Sequence, residues 1–213
     1  MINVALFDLD GTLLNTYESI FQAYKYSLKK NKNIDFAEKD FKKILGPPLE
    51  ECYQIITNLK DVKQLYYDHV AFQESNLHLS TLYPEVKETL ARLKRKGIKI
   101  GLVTARAAKT LTKILEITQL SKYMDVIIDA DSVTKHKPHP EALLKALQIL
   151  KAKPQNAIMI GDLQIDILAG KNAGIKTIGV TYGFIGKRIA RANPDYIIND
   201  ISEIPSMEFF IQT

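Results

Sequence analysis

Six short apolar stretches punctuate the second half and the start of this chain, at residues 2–7, 98–103, 126–128, 157–160, 176–180 and 196–198. They show little polar alternation, which is the mark of strands buried on both faces. Between them the spacing turns helical. Val86, Leu90 and Leu93 give one apolar face to a helix that Pro84 opens and Gly97 ends. Further helices are predicted over 107–117, 138–150 and 163–173, the last ended by Gly174. Strands that alternate with helices imply an α/β fold, a doubly wound parallel sheet with a Rossmann-like core.

Residues 16–80 follow a different grammar. Ile20, Phe21, Ala23, Tyr24 and Leu28 fall at helical spacing over 16–30. Helical stretches follow at 35–45, 49–59 and 62–76, the first stopped by Gly46-Pro47-Pro48. No strand pattern occurs among them. The expected organisation is a core of residues 1–15 and 81–213 and an inserted all-helical cap at 16–80. An insert placed just after the first strand emerges beside that strand's carboxyl end and can serve as a lid.

Composition bounds the picture without changing it. The chain has 213 residues, 46% hydrophobic and 25% charged, ordinary values for a globular protein. The first apolar run is too short to span a membrane and lacks the pattern of a signal peptide. The single Cys52 excludes an intramolecular disulfide, so a cytoplasmic location is expected. Residues 16–80 carry nine Lys, no Arg and nine Asp or Glu, which places the whole net charge of +5 in the remainder. A basic core steers anionic substrates. No long basic run or aromatic–basic interleaving points to nucleic acid. No membrane partner is expected, and the assembly expected is a monomer or a weak homodimer.

The candidate chemistry sits at strand ends. Asp8 and Asp10 follow the first strand, and Asp162 and Asp166 follow the strand at 157–160. In open α/β sheets ligands bind beyond the carboxyl ends of the strands. Carboxylates meeting there can hold a hard cation such as Mg²⁺. Asp8 can act as a nucleophile on a phosphate monoester, and Asp10 as acid to the leaving oxygen and base to water. Thr104 with the Ala105 N–H, and the ammonium of Lys137, can cradle phosphate. Each feature alone has a plainer reading: a turn for Asp8-Leu9-Asp10, a helix cap for Thr104, a solvated lysine for Lys137. Asp162 and Asp166, four apart, could share one helical face, with Asp162 the better ligand and Asp166 in support. His69, His78, His136 and His139 read as surface or capping residues, and Tyr17, Tyr24 and Tyr26 as helix packing.

Taken in order, Asp8-Leu9-Asp10-Gly11-Thr12, Leu102-Val103-Thr104, Lys137-Pro138 and Gly161-Asp162 through Asp166 resemble the four motifs of the haloacid dehalogenase superfamily. Ala169-Gly170-Lys171-Asn172-Ala173-Gly174 extends the likeness over nearly the whole chain. The resemblance implies Asp8 as nucleophile, Asp10 as acid/base, and Thr104, Ala105 and Lys137 as phosphate ligands. It implies Mg²⁺ held by Asp8, Asp10 through its main-chain carbonyl, and Asp162, with Asp166 in support. Asp10 argues against the dehalogenase and phosphonate-cleaving branches. The lack of Arg in 16–80 argues against the β-phosphoglucomutase branch.

The insert, with Leu45-Gly46-Pro47-Pro48-Leu49, resembles the small helical cap of phosphoglycolate phosphatases and related pyrophosphatases, which makes Gly46 and Pro47 candidate substrate contacts. Arg106, where many relatives have Lys, is a candidate contact for a substrate carboxylate or second phosphate. The family often has Gly at the position of Glu85 and Ser or Asn at that of Leu163. The expectation is a Mg²⁺-dependent phosphatase for a small anionic phosphorylated substrate of the 2-phosphoglycolate kind. Pyrophosphate is the alternative, and a phosphomutase, a ligand-binding relic and a phosphoacceptor module rank lower.

Overall fold

The structure is a computed structural model that describes residues 2–210. In chain order it holds β1 (Val4–Phe7), β2 (Leu14–Asn15), α1 (Tyr17–Lys32), α2 (Glu38–Phe41), α3 (Leu49–Thr57), α4 (Lys63–Ser75), β3 (Thr81–Leu82), α5 (Val86–Arg95), β4 (Lys99–Val103), α6 (Ala108–Thr118), β5 (Val126–Ile128), α7 (Glu141–Leu150), β6 (Ala157–Gly161), α8 (Gln164–Asn172), β7 (Lys176–Val180) and β8 (Tyr196–Ile198). The chain separates into two compact units, one running to Asn15 and resuming at Leu82, the other spanning Thr16–Thr81.

The first unit is a six-stranded sheet in the order β5-β4-β1-β6-β7-β8. Every pairing in it is parallel. Its α-helices connect successive strands, so this is the doubly wound α/β fold that the alternating pattern implies. β1 lies at the centre, and all four of its side chains are fully buried. Val4, Leu6, Val103, Leu143, Leu147 and Met159 pack in one core cluster. The order sets the chemistry: β4, β1 and β6 are neighbours, so the residues just past their ends stand side by side. β2 and β3 form a separate two-stranded sheet where the chain leaves and rejoins the core.

Two helix starts differ from the sequence pattern. The helix expected from 138 begins at Glu141, because Lys137-Pro138 and His139-Pro140 are both X-Pro pairs that keep the preceding residue out of helical geometry. The Lys137–Pro138 bond is cis. Pro84 lies outside α5, which starts after Glu85 in the left-handed region.

The second unit carries α1 to α4, packed around one aromatic cluster. Tyr24 stands against Phe36, Phe41, Tyr53 and His69 with ring centroids 5.5, 5.8, 5.0 and 4.7 Å away. Tyr17 packs edge-on to Phe41, and Tyr26 lies on Phe72 while 42% exposed. The stretch 35–45 contains only the four-residue α2. Phe36, Phe41 and Ile44 are all buried there. His69 is not a surface residue. It is buried among the aromatic rings, and its Nδ1 lies 2.9 Å from the Tyr53 hydroxyl. The Cys52 thiol donates to the carbonyls of Ile44 at 3.2 Å and Pro47 at 3.4 Å, and burial pushes it up to about 11. Among the described residues no helix is long and apolar enough to cross a membrane.

Candidate active site

Asp8 follows β1 directly, and its N–H donates to the Ile160 carbonyl at 2.9 Å, which extends the sheet ladder by one residue. The chain then turns sharply. The Leu9 carbonyl accepts from the N–H groups of Thr12, Leu13 and Leu14, while Gly11 sits at φ +84°. A side chain at Gly11 would be strained at that φ and would run into the Asp162 carboxylate. Gly183 meets Asp162 just as closely from the loop after β7.

These acids are buried, and Asp162 and Asp166 are 0% exposed. Asp162 accepts from the Thr12 hydroxyl at 3.3 Å and from the Phe184 N–H at 2.8 Å. Asp166 accepts from the Leu163 N–H at 3.0 Å, at the start of α8. Asp162 precedes that helix, so the two acids converge from strand end and helix start rather than along one helical face. Lys137 joins the group by donating to Asp8 at 2.7 Å, to Asp166 at 2.6 Å and to the Val103 carbonyl at 3.2 Å. It is not a solvated lysine, since its side chain is only 4% exposed.

Electrostatics follow from that burial. Loss of solvation pushes the Asp8 carboxyl up to about 7, against the pull of Lys137 and with the push of Asp166. Burial, then Asp166 and Asp8, raise Asp162 well above the usual carboxylate range. Burial works against the Lys137 ammonium, but Asp166 and Asp8 outweigh it and hold its proton more tightly.

The donor set fits a hard divalent cation. Asp8, Asp162 and Asp166 offer ligand oxygens within 4.8 Å of one another. Three carboxylates face one ammonium, and a buried excess of negative charge calls for a compensating cation. All-oxygen ligands suit Mg²⁺ or Ca²⁺ rather than a softer metal.

Thr104 follows β4, and its hydroxyl accepts the Arg106 N–H at 3.1 Å. It does not cap α6, which starts only at Ala108. Ala105 occupies the turn between them. Arg106 turns toward Asp10, with Nε to Oδ2 at 3.1 Å and Nη2 to Oδ1 at 2.6 Å. The Asp10 carboxylate is thus paired with Arg106, and the clustered ligand oxygens are those of Asp8, Asp162 and Asp166. Gly46 and Pro47 belong to the helical unit, with Gly46 at φ +120°.

The loop after β7 adds contacts that none of the four motifs marks. There Phe184 supplies an N–H to Asp162, and Tyr182 donates to the Thr12 carbonyl at 3.0 Å. Its signal was a glycine and a tyrosine just past one more strand end. Tyr83 packs edge-on to Tyr182 at 4.8 Å, and both phenols are raised first by burial and then by Asp162.

Asp8 past the central strand thus stands between Thr104 past one neighbouring strand and Asp162 past the other, a set of groups able to hold a cation and a phosphoryl group. The family model for haloacid dehalogenase-like hydrolases matches residues 5–180, and the chain belongs to that phosphatase-containing family. It is 36% identical over 204 residues to the pyrophosphatase PpaX of Bacillus mycoides (strain KBAB4), covering 95% of each chain. Among solved structures it is similar to a protein of Bacteroides fragilis named as a haloacid dehalogenase-like hydrolase, at 30% identity and TM-score 0.87, covering 96% of this chain and 100% of that one. A predicted phosphoglycolate phosphatase from Haemophilus somnus 129pt follows at 28% identity and TM-score 0.86, covering 96% and 97%.

Proposed function

We propose that this chain is a Mg²⁺-dependent phosphatase of small phosphorylated compounds that works through an aspartyl-phosphate on Asp8. The observation that carries it is the buried Lys137 bridge between Asp8 and Asp166, beside Asp162. Asp8, the Asp10 main-chain carbonyl and Asp162 would hold the cation, with Asp166 in support. Bound there, it would offset charge on the substrate's non-bridging oxygens.

The chain's own residues account for the remaining steps. Lys137 occupies Asp8 Oδ1 and favours the ionised carboxylate that attacks phosphorus. The Thr104 hydroxyl and Ala105 N–H take phosphoryl oxygens. As the bond from phosphorus to the leaving oxygen breaks, Asp10 gives that oxygen a proton. The Asp10 carboxylate then takes a proton from water, the water oxygen adds to phosphorus, and Asp8 and inorganic phosphate are released.

Two substrates share the first rank. The names of the curated relatives support pyrophosphate. The similarity to the predicted phosphoglycolate phosphatase supports 2-phosphoglycolate. The test is phosphate release from a panel of small phosphates, with and without Mg²⁺. Asp8→Asn should lose roughly 1,000-fold or more in kcat while still folding cooperatively. A variant that keeps near-wild-type turnover would remove Asp8 as the nucleophile. Asp10→Asn should accumulate phosphoenzyme, visible by intact mass after quenching, whereas an unchanged steady state would remove its acid/base role.

A further inference from the structure

The Asp10–Arg106 pair deepens the reading above and rests on it. The Arg106 side chain is 7% exposed and that of Asp10 18%. The guanidinium lies along the carboxylate and meets both of its oxygens, at 3.1 and 2.6 Å. Its backbone is fixed on two sides. The Arg106 N–H goes to the Thr104 hydroxyl at 3.1 Å, and its carbonyl accepts from the Ala130 N–H at 3.1 Å. Arg106 is therefore held in place by the same threonine that is proposed to meet the transferred phosphoryl group.

A guanidinium has five N–H groups. Asp10 takes two of them, and the others have no partner among the described residues. They lie next to the carboxylate that is proposed to meet the leaving oxygen, so any ligand they bind belongs to the leaving group rather than to the phosphoryl group. Once Asp10 has given its proton to the leaving oxygen, its carboxylate alone would repel a negatively charged leaving group. With Arg106 between them, one planar cation serves both anions. A neutral leaving group brings no acceptor for these donors, and a site built to pair a polar group discriminates against a ligand that lacks it.

We infer that Arg106 is the specificity-determining residue for the leaving group, sharing its guanidinium between Asp10 and an anionic group just beyond the scissile oxygen. The substrate class is small phosphates whose leaving group is itself a phosphate or bears a carboxylate. Pyrophosphate and 2-phosphoglycolate both belong to it; simple alkyl phosphates do not.

The experiment compares kcat/KM for pyrophosphate and 2-phosphoglycolate with that for ethyl phosphate, in wild type, Arg106→Ala and Arg106→Lys. In Arg106→Ala the ethyl phosphate rate also falls, because Asp10 loses its partner. The quantity that decides is the ratio of anionic to neutral substrate, expected to drop roughly 100-fold in Arg106→Ala and less in Arg106→Lys, which keeps one charge. A uniform loss on all three compounds, or an unchanged ratio, overturns the inference. A second arm measures calorimetric binding of methylenediphosphonate against methylphosphonate, in the presence of Mg²⁺. Their affinity ratio should fall with Arg106→Ala, and a constant ratio again overturns the inference. If wild type hydrolyses none of the compounds, the phosphatase reading fails, while the binding ratio still decides the role of Arg106. Should Arg106→Ala not fold, Arg106→Lys and Arg106→Gln carry the same comparison.

Discussion

Glu85 holds φ +59° at the N-terminal edge of α5, with its carbonyl accepting from Thr89 at 2.8 Å. A left-handed conformation costs an L-residue about 1–2 kcal/mol, and glycine avoids that cost while losing more chain entropy on folding. The side chain is exposed. Glu85→Gly should therefore stabilise the protein by about 0.5–1 kcal/mol, raising Tm by roughly 1–4 °C in a calorimetric scan. A lower Tm would mean that the glutamate makes a compensating interaction. This position explains a departure visible in the sequence. The family resemblance implies glycine there, and the left-handed backbone favours it. The acids and Lys137 were legible because each follows an apolar run or precedes a proline. Arg106 was legible only as a charge near the site. Its partner, Asp10, lies 96 positions away, and nothing local marks the pair.

At the scale of elements, strands buried on both faces announced themselves and short helices did not. The β5 and β8 spans coincide with their apolar runs, and β4 and β6 differ from theirs by one residue. The region 35–45 carried enough apolar residues at helical spacing to suggest a helix, yet only Glu38–Phe41 is helical, and Phe36, Phe41 and Ile44 pack with Tyr24 in one cluster. His69 misled for a similar reason: on α4 the inward face also carries Asp68 and Gln73. Asp68 ties α4 to α1. It accepts from Lys30 and Asn31, both at 2.8 Å, and from Gln64 at 3.2 Å. These donors, Lys30 first and then Asn31, hold its carboxyl below the usual range. Hydrogen bonds to a charged group contribute about 1.5–3 kcal/mol, so Asp68→Ala should destabilise the helical unit by about 2 kcal/mol. Hydrogen exchange should then quicken in α1 and α4 and leave β1 and β6 unchanged. Equal exchange in wild type and variant would mean that solvent replaces these contacts without loss.

At the scale of the whole molecule, the strand order brings the charges together. Asp8 and Asp162 lie 154 positions apart in the chain, and they meet because β1 pairs with β6. The order of strands in a sheet is not written in apolar periodicity, so the local pattern around Asp8 and Asp162 does not show that they meet. The resulting cluster of three acids and one lysine makes stability depend on both cation and pH. Without a cation, burial holds Asp8 protonated up to about 7, against an ordinary value of 3.8. The folded state then binds that proton more tightly than the unfolded state. Its contribution is complete below 3.8 and is lost as pH rises to about 7. Asp162 shifts in the same direction. A divalent cation takes the place of these protons and binds better as they leave. Melting in EDTA and in Mg²⁺ should therefore differ little at pH 5 and clearly at pH 8, where Mg²⁺ at about 100 times its Kd adds about 2.7 kcal/mol. Asp162→Ala should abolish the gap. A gap that is absent at pH 8, or larger at pH 5, would show that these carboxylates do not form the cation site.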